Sequence, residues 1–252
     1  MDYFTIQGKK AIVTGGSRGL GRGVVEGYLA YGAEVVILAQ HETVLEIAAS
    51  YREQGFVCHG VACDLADREA RKNGFEESVA LLGGDLDILV NAAGIQRRHP
   101  SEEFPIEDWD ELLEINLTAT FDLCQRAARI MLAKQYGKII NFASLLSFFG
   151  GFTVPAYAAS KGGVAQLTKA FANEWGSRGV NVNAIAPGYM DTDMNTALLH
   201  NEERNSQITA RIPAKRWGVA DDMAGIAIFL ASAGSDYVHG TVIPVDGGYL
   251  SR

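Results

Sequence analysis

Residues 8–40 read GKKAIVTGGSRGLGRGVVEGYLAYGAEVVILAQ, and the rest of the chain follows from them. KKAIVTGG is an apolar strand running into glycines, SRGLGRGVVEGYLAYG a helix closed by Gly32, and AEVVILAQ a second strand. Strand, helix and strand in this order make a βαβ unit, with parallel strands and a right-handed crossover. In the turn TGGSRGLG, Gly15, Gly19 and Gly21 stand as G-x-x-x-G-x-G. Glycines there let the backbone turn tightly and approach a pyrophosphate at a helix N-terminus, where free N–H groups and the dipole favour negative charge. Glycines also serve plain turns, so the weight comes from their place between a strand and a helix, which points to dinucleotide binding.

The end of the second strand is where such a fold reads the adenosine ribose. An acid there would accept from both hydroxyls of NAD, while an arginine nearby suits the 2′-phosphate of NADP. The chain offers Ala39, Gln40 and His41 with no acid, and Arg18 inside the glycine turn. Arg18 reads equally as a solvated surface residue, so NAD or NADP stays open as the cofactor.

Strands and helices continue to alternate. FVCHGVACDL is a strand leading to Asp64, placed either to hydrogen-bond an adenine amino group or to cap the next helix. DLDILVNAAG is a buried strand ending in Asn91, Ala92, Ala93 and Gly94, small enough for a ligand to lie against the backbone. IEDWDELLEINLTATFDLCQRAARIMLAKQ reads as one long amphipathic helix with Asn116 in its middle, a locally unfavourable place for asparagine. That asparagine either bonds between helices or faces a site. GVNVNAIAPG is a further apolar strand. Residues 189–215, more polar than their surroundings and following a strand end, suit a lid over a site at the carboxyl ends of the strands. VADDMAGIAIFLAS is a helix and TVIPVDGG the last strand. No repeat, low-complexity tract or linker interrupts residues 1–252, so one domain is expected.

Chemistry gathers at residues 141–161, NFASLLSFFGGFTVPAYAASK. AYAASKGGVAQLTKAFANEW has helical periodicity, which puts Tyr157 and Lys161 on one face. A free tyrosine, with a pKa near ~10, exchanges protons poorly at neutral pH. A nearby ammonium would favour the phenolate and bring the pKa down toward working pH. Ser144, after the strand GKIINFAS, could hold a substrate oxygen beside that phenol. Y-x-x-x-K also occurs on plain solvated helices, so the pair counts only together with the rest of the chain.

The formal charge of −8 argues against nucleic acid or an anionic membrane as partner. No apolar run is long enough to span a bilayer, and MDYFTIQGKK lacks the basic-then-apolar start of a signal peptide, so a cytoplasmic location is expected. Cys58 and Cys63 sit an odd distance apart on one strand and should face opposite ways, as core thiols rather than a disulfide or metal pair. The histidines are scattered, and no metal site is expected.

Gly15, Gly19 and Gly21, the Asn91–Gly94 turn, Asn116, Ser144, Tyr157-x-x-x-Lys161 and Pro187-Gly188 together resemble the short-chain dehydrogenase/reductase family, in order from about residue 8 to the C-terminus. The family usually has Asn-Asn-Ala-Gly where this chain has Asn91-Ala92-Ala93-Gly94. The resemblance implies a doubly wound, Rossmann-like α/β domain with a seven-stranded, mostly parallel sheet in the order 3-2-1-4-5-6-7 and helices on both faces. It implies Tyr157 as the acid/base, Lys161 lowering its pKa and holding the nicotinamide ribose, Ser144 orienting the substrate oxygen, and Asn116 holding a water in a proton relay. It implies cofactor contacts at Gly15, Ser17, Arg18, Gly19, Leu20, Gly21, Asp64 and Leu65, then at Asn91, Ala92, Gly94, Pro187, Gly188 and Thr192. Hydride transfer would be supplied by the cofactor. A homotetramer is the family's usual assembly, and TVIPVDGGYL is apolar enough to pack against a neighbour.

AGIQRR, INFASLLSFFGG, VPAYAASKGGV, RIPAKRWG and SDYVHG narrow the resemblance to a subgroup acting on sugar acids. Arg97 and Arg98, following the fourth strand, are placed to hold a substrate carboxylate, with Arg211 and Arg216 as weaker candidates. The alternative for adjacent arginines is a solvated loop or a subunit salt bridge. Two other activities compete: reduction of a 3-oxoacyl thioester, which an acidic acyl carrier and the −8 charge disfavour, and cofactor binding without turnover, which retention of Tyr157 and Lys161 disfavours.

Overall fold

The structure is a computed structural model and describes residues 3–252. Met1 and Asp2, which open the stretch read above for a leader, lie outside the described residues. The βαβ unit forms as β1 (Lys10–Thr14), α1 (Gly19–Ala30) and β2 (Glu34–Ala39). It continues through α2 (Thr43–Glu53), β3 (Cys58–Ala62), α3 (Arg68–Leu81) and β4 (Ile88–Asn91). The second half runs α4 (Ile106–Leu113), α5 (Ala119–Ala133), β5 (Gly137–Phe142), α6 (Pro155–Trp175) and β6 (Val180–Pro187). The short α7 (Thr196–Leu199), α8 (Glu202–Arg211), α9 (Ala224–Ala231) and β7 (Val242–Val245) complete it.

The sheet order is β3-β2-β1-β4-β5-β6-β7, as expected, and every pairing is parallel rather than most of them. Sheet side chains alternate between two apolar layers, as the pleat requires. Ala11, Val13, Val35, Ile37 and Val90 pack with Val24, Tyr28, Ala48 and Ile228, on the side of α1, α2 and α9. Ile12, Val36, Leu38, Leu89 and Val182 pack with Phe75, Leu123, Ala127 and Trp175, on the side of α3, α5 and α6. Cys58 lies in the first layer and Cys63 in the second, and both are free thiols. Burial pushes each thiol up to about 11, so neither is a ready nucleophile.

Register sets the site. Thr14 lies opposite both Leu38 and Asn91, and Asn91 opposite Asn141, so four strands end at one level. Between β1 and β4 the winding reverses direction, and connections leave to opposite sides of the sheet. A crevice opens at their carboxyl ends, which is where ligands bind in open parallel sheets.

The expected single helix over 106–135 is interrupted. Between α4 and α5, residues Glu114–Thr118 form a π-helical turn with buried Asn116 at its centre. The Thr120 hydroxyl donates to the Asn116 carbonyl oxygen at 2.9 Å. The cap of α3 is also shifted from expectation. Asp67, not Asp64, accepts from Glu69 N (2.8 Å) and Ala70 N (3.0 Å), because Asp64 lies too far upstream to reach the first-turn amides.

Candidate active site

The glycine turn after β1 forms one end of a cleft along the crevice. Gly15 has φ +67°, and a Cβ there would stand 2.8 Å from the Ala93 Cα, so the turn and the β4 exit touch through backbone. Thr14 joins the same two segments, its hydroxyl oxygen accepting from Ala92 N and Ala93 N, each at 3.1 Å. Arg18 is the N-cap of α1, but no side chain bonds the first-turn amides and no acid lies in that turn. Those N–H groups therefore face the cleft with nothing competing for them.

The cleft wall carries Ser17, Arg18, Gly19, Leu20 and Gly21 from this turn, then Gln40 and His41 beyond β2. Asp64 and Leu65 follow beyond β3, and Ala92 to Gly94 beyond β4. Asn91 differs from expectation. Its side chain is buried inside the sheet and donates to Asn141 Oδ1 (2.9 Å) and Cys124 Sγ (3.3 Å), and it forms no part of the wall. The alternation of side chains sends Asn91 inward and leaves its small successors to line the cleft.

At the other end stand Ser144, Tyr157 and Lys161. Ser144 follows β5 by two residues, and its turn is held as a capping box: Ser144 Oγ accepts from Leu146 N at 3.1 Å, and Ser144 N donates to Ser147 Oγ at 3.3 Å. Ser147 Oγ in turn donates to the Lys161 carbonyl at 2.7 Å, which ties this turn to α6. Pro155 starts α6, so Tyr157 sits in its first turn and Lys161 one turn later. Lys161 is 5% exposed; its Nζ donates to the Phe142 carbonyl at 2.6 Å and lies 5.6 Å from the centroid of the Tyr157 ring.

The electrostatics differ from the sequence expectation in one respect. Burial holds the Tyr157 phenol above its ordinary value, while the Ser144 hydroxyl, hydrogen-bonded to it, and the charge of Arg98 pull it back. The Lys161 ammonium, 5.6 Å from the ring centroid, makes no direct hydrogen bond to the phenol. Burial pushes Lys161 itself down to about 8, and its hydrogen bond points to Phe142 rather than to the phenol.

Asn116 also differs. Its Oδ1 accepts from Ile95 N at 2.9 Å, and its Nδ2 donates to Ile95 O (2.9 Å) and to Ser160 Oγ (3.3 Å). The side chain therefore pins the loop after β4 instead of reaching into the cleft, whose wall at that point is Ile115.

Pro187 and Gly188 leave β6 on the wall, followed by Met190, Thr192 and Met194. Residues 189–215 then carry a short 3-10 turn with α7 and α8, packed on a satellite cluster of Leu145, Ile208, Ile212, Trp217 and Tyr249. This cluster joins the segment to the Ser144 turn.

Four similarities to known proteins bear on this arrangement. The family profile described as Enoyl-(Acyl carrier protein) reductase matches residues 15–250. A 2-dehydro-3-deoxy-D-gluconate 5-dehydrogenase of Bacillus subtilis (strain 168) is 46% identical, covering 100% of this chain and 98% of the relative. The chain belongs to the short-chain dehydrogenase/reductase family. A gluconate 5-dehydrogenase of Gluconobacter oxydans (strain 621H) is 40% identical over 98% of this chain and 96% of its own. The crystal structure of a gluconate 5-dehydrogenase from Burkholderia cenocepacia J2315 in complex with NADP and tartrate matches with a TM-score of 0.96 at 40% identity, over 100% of this chain and 98% of that one.

Within this reductase, the two arginines after β4 part company, and neither lines the cleft itself. Arg97 pairs with Glu111 at 2.8 Å and approaches Asp108 at 3.8 Å, so α4 neutralises it. Arg98 is exposed, bonds only the Gln96 side chain (3.3 Å), and its charge acts on Tyr157. Arg211 lies over the Tyr249 ring at 4.2 Å, and Arg216 makes a two-pronged pair with Asp222 at 2.7 and 2.8 Å. Arg211 thus ties the 189–215 segment to the C-terminal turn, Arg216 is engaged by the segment that follows it, and neither lines the cleft.

Three supporting side chains escaped the sequence reading. Ser147 was visible in principle as the far member of an S-x-x-S box. Thr14, a polar residue closing an apolar strand, carried a weaker signal, and Ser160 carried none. Among the described residues no cluster of three or more His, Cys, Asp or Glu forms a metal site, and no helix is long and apolar enough to cross a membrane.

Proposed function

We propose that this oxidoreductase interconverts a sugar-acid hydroxyl and its ketone with NADP(H), most closely as a 2-dehydro-3-deoxy-D-gluconate 5-dehydrogenase. The observation that carries this reading is Ser144, Tyr157 and Lys161 meeting at one end of a cleft whose other end is an open helix N-terminus. The free amides of α1, the small Ala92–Gly94 exit and the spare donors of Lys161 fit a nicotinamide dinucleotide. When bound, that cofactor supplies or accepts the hydride.

The protein's part is position and proton. Ser144 holds the substrate oxygen and Tyr157 exchanges a proton with it. In reduction the neutral phenol gives its proton to the oxygen as negative charge develops there. The raised phenol pKa keeps that proton available, and the Ser144 hydroxyl and Arg98 charge offset the cost of the phenolate that remains. In oxidation the same phenolate receives the proton. Lys161 would hold the ribose hydroxyls of the bound cofactor, Asp64 and Leu65 its adenine, and Pro187, Gly188 and Thr192 its nicotinamide amide, all of them lining the cleft. Asn116 supports the site by holding Ile95.

NADP is favoured because residues 39–41 offer no acid for a 2′-hydroxyl, while Arg18, Gln40 and His41 share that wall. The relatives' names and the uncompensated charge of Arg98 support an acidic substrate. The family profile's name points instead to a thioester reductase, which the sugar-acid names of the full-length relatives outweigh. We further propose one domain with residues 189–215 as its lid, a cytoplasmic location, and a homotetramer. The half-exposed edge strand β7 supports the last of these.

Replacing Tyr157 by Phe tests the chemistry. Turnover should fall at least about a thousandfold, within the range for loss of a general acid/base, with NADPH affinity unchanged by fluorescence titration. Residual turnover within tenfold of wild type would remove Tyr157 as the proton donor.

A further inference from the structure

Gln96 to His99 bridge the end of β4 to the region of α4, and the bridge is fixed by contacts that the proton chemistry does not need. Asn116 holds Ile95 at both backbone groups. His99 N donates to the Thr153 carbonyl at 3.0 Å, two residues before Pro155 opens the helix bearing Tyr157. The His99 ring stands edge-on to Phe104, with centroids 5.1 Å apart, and its Nε2 meets Asp108 Oδ2 at 2.6 Å. The other oxygen of Asp108 lies 3.8 Å from Arg97 Nε. Asp108 thus holds both neighbours of Arg98 against α4.

Two consequences follow for Arg98. With residues 97 and 99 drawn to α4, Arg98 has no carboxylate partner among the described residues, and its charge is felt at Tyr157. Arg97, paired with Glu111 and near Asp108, is a poor competitor for a second carboxylate. An incoming acid therefore meets one available guanidinium in one position, not two in a mobile pair.

We propose that Asp108, through His99 and Arg97, is a positioning residue that aims Arg98 at the carboxylate of the substrate. The inference rests on the reading of Arg98 as the carboxylate contact. It assigns Asp108 and His99 to substrate specificity, although neither touches the reacting atoms.

The test is a double-mutant cycle on NADPH-dependent reduction of 5-keto-D-gluconate, with the carboxylate-free 5-keto-D-fructose as control. Asp108→Asn should raise KM for the acid about fivefold to tenfold, leave kcat within about twofold, and leave KM for the neutral ketose unchanged. In an Arg98→Ala background the same substitution should add nothing, because a residue acting through Arg98 is silent without it. The Kd of tartrate, measured by calorimetry with NADP bound, should follow the KM of the acid. His99→Phe keeps the ring against Phe104 and removes the Asp108 contact; it should reproduce the pattern, and it decides the matter if Asp108→Asn does not fold. Equal losses on both substrates, or additive effects with Arg98→Ala, would overturn the positioning role while leaving Arg98 in place. If Arg98→Ala itself fails to distinguish acid from ketose, the carboxylate reading falls, and the inference with it.

Discussion

Lys161 is charged, almost wholly buried and bonded to a single carbonyl, and the cost of that burial is measurable. Its folded pKa of about 8 lies below the ordinary 10.5, so the unfolded chain holds the proton more tightly. Stability should therefore rise as pH climbs from about 8 to 10.5, and the penalty should be full below that window. Thermal unfolding of wild type and Lys161→Met across this range checks it: wild type should gain on the variant as pH rises, and a constant difference would contradict the burial argument. Arg18 makes a second case. Its contact with Asp193 is 3.4 Å long between two exposed side chains, a kind of pair worth only about 0–1 kcal/mol, so a phosphate can claim it. Arg18→Ala should weaken NADPH several-fold more than NADH in fluorescence titrations, and equal weakening would remove the 2′-phosphate role. The residue types and their spacing were legible in the sequence. What tunes Tyr157 was not, because the direction of the Lys161 ammonium depends on the Phe142 carbonyl, supplied by another element.

The long helix between β4 and β5 shows the limit of periodicity at the level of elements. Apolar spacing reads straight through residues 106–135, because one π turn adds less than a residue of slippage to a pattern of that length. Asn116 was the only local sign, and its partners at Ile95 and Ser160 come from distant segments. Beneath the turn, Arg71 is 2% exposed and joins three elements. Its guanidinium donates to Glu114 in the π turn (3.0 Å), to Asp122 in α5 (2.8 Å) and to the Leu65 carbonyl beyond β3 (2.5 Å). Arg71→Met should cost about 3 kcal/mol in urea unfolding, the lower end for a broken buried pair, because Arg68 and Arg126 still face the two acids. A loss below about 1 kcal/mol would mean that the π turn does not depend on this ion cluster. Nothing in the sequence marks Arg71 out from the exposed arginines around it, since its burial is a product of packing.

For the molecule as a whole, the parallel order β3-β2-β1-β4-β5-β6-β7 brings the glycine turn and the Ser144–Tyr157–Lys161 group to one end of the sheet. The βαβ unit of residues 8–40 made this arrangement legible, because right-handed crossovers and a reversal between β1 and β4 leave one crevice. The substrate's acid group was harder to read. QRR after β4 offered two arginines, and only the α4 carboxylates, which neutralise Arg97, distinguish Arg98. The reaction assigned to this crevice is the reduction of a ketone carried on a sugar acid. Its most direct test is an initial-rate comparison of NADPH and NADH oxidation on three substrates: the diketo acid formed by oxidising 2-dehydro-3-deoxy-D-gluconate at C5, a neutral ketone, and a short 3-oxoacyl thioester. Fast turnover of the diketo acid is expected, faster with NADPH than with NADH, with little turnover of the other two. Preferred turnover of the thioester or the neutral ketone would contradict it.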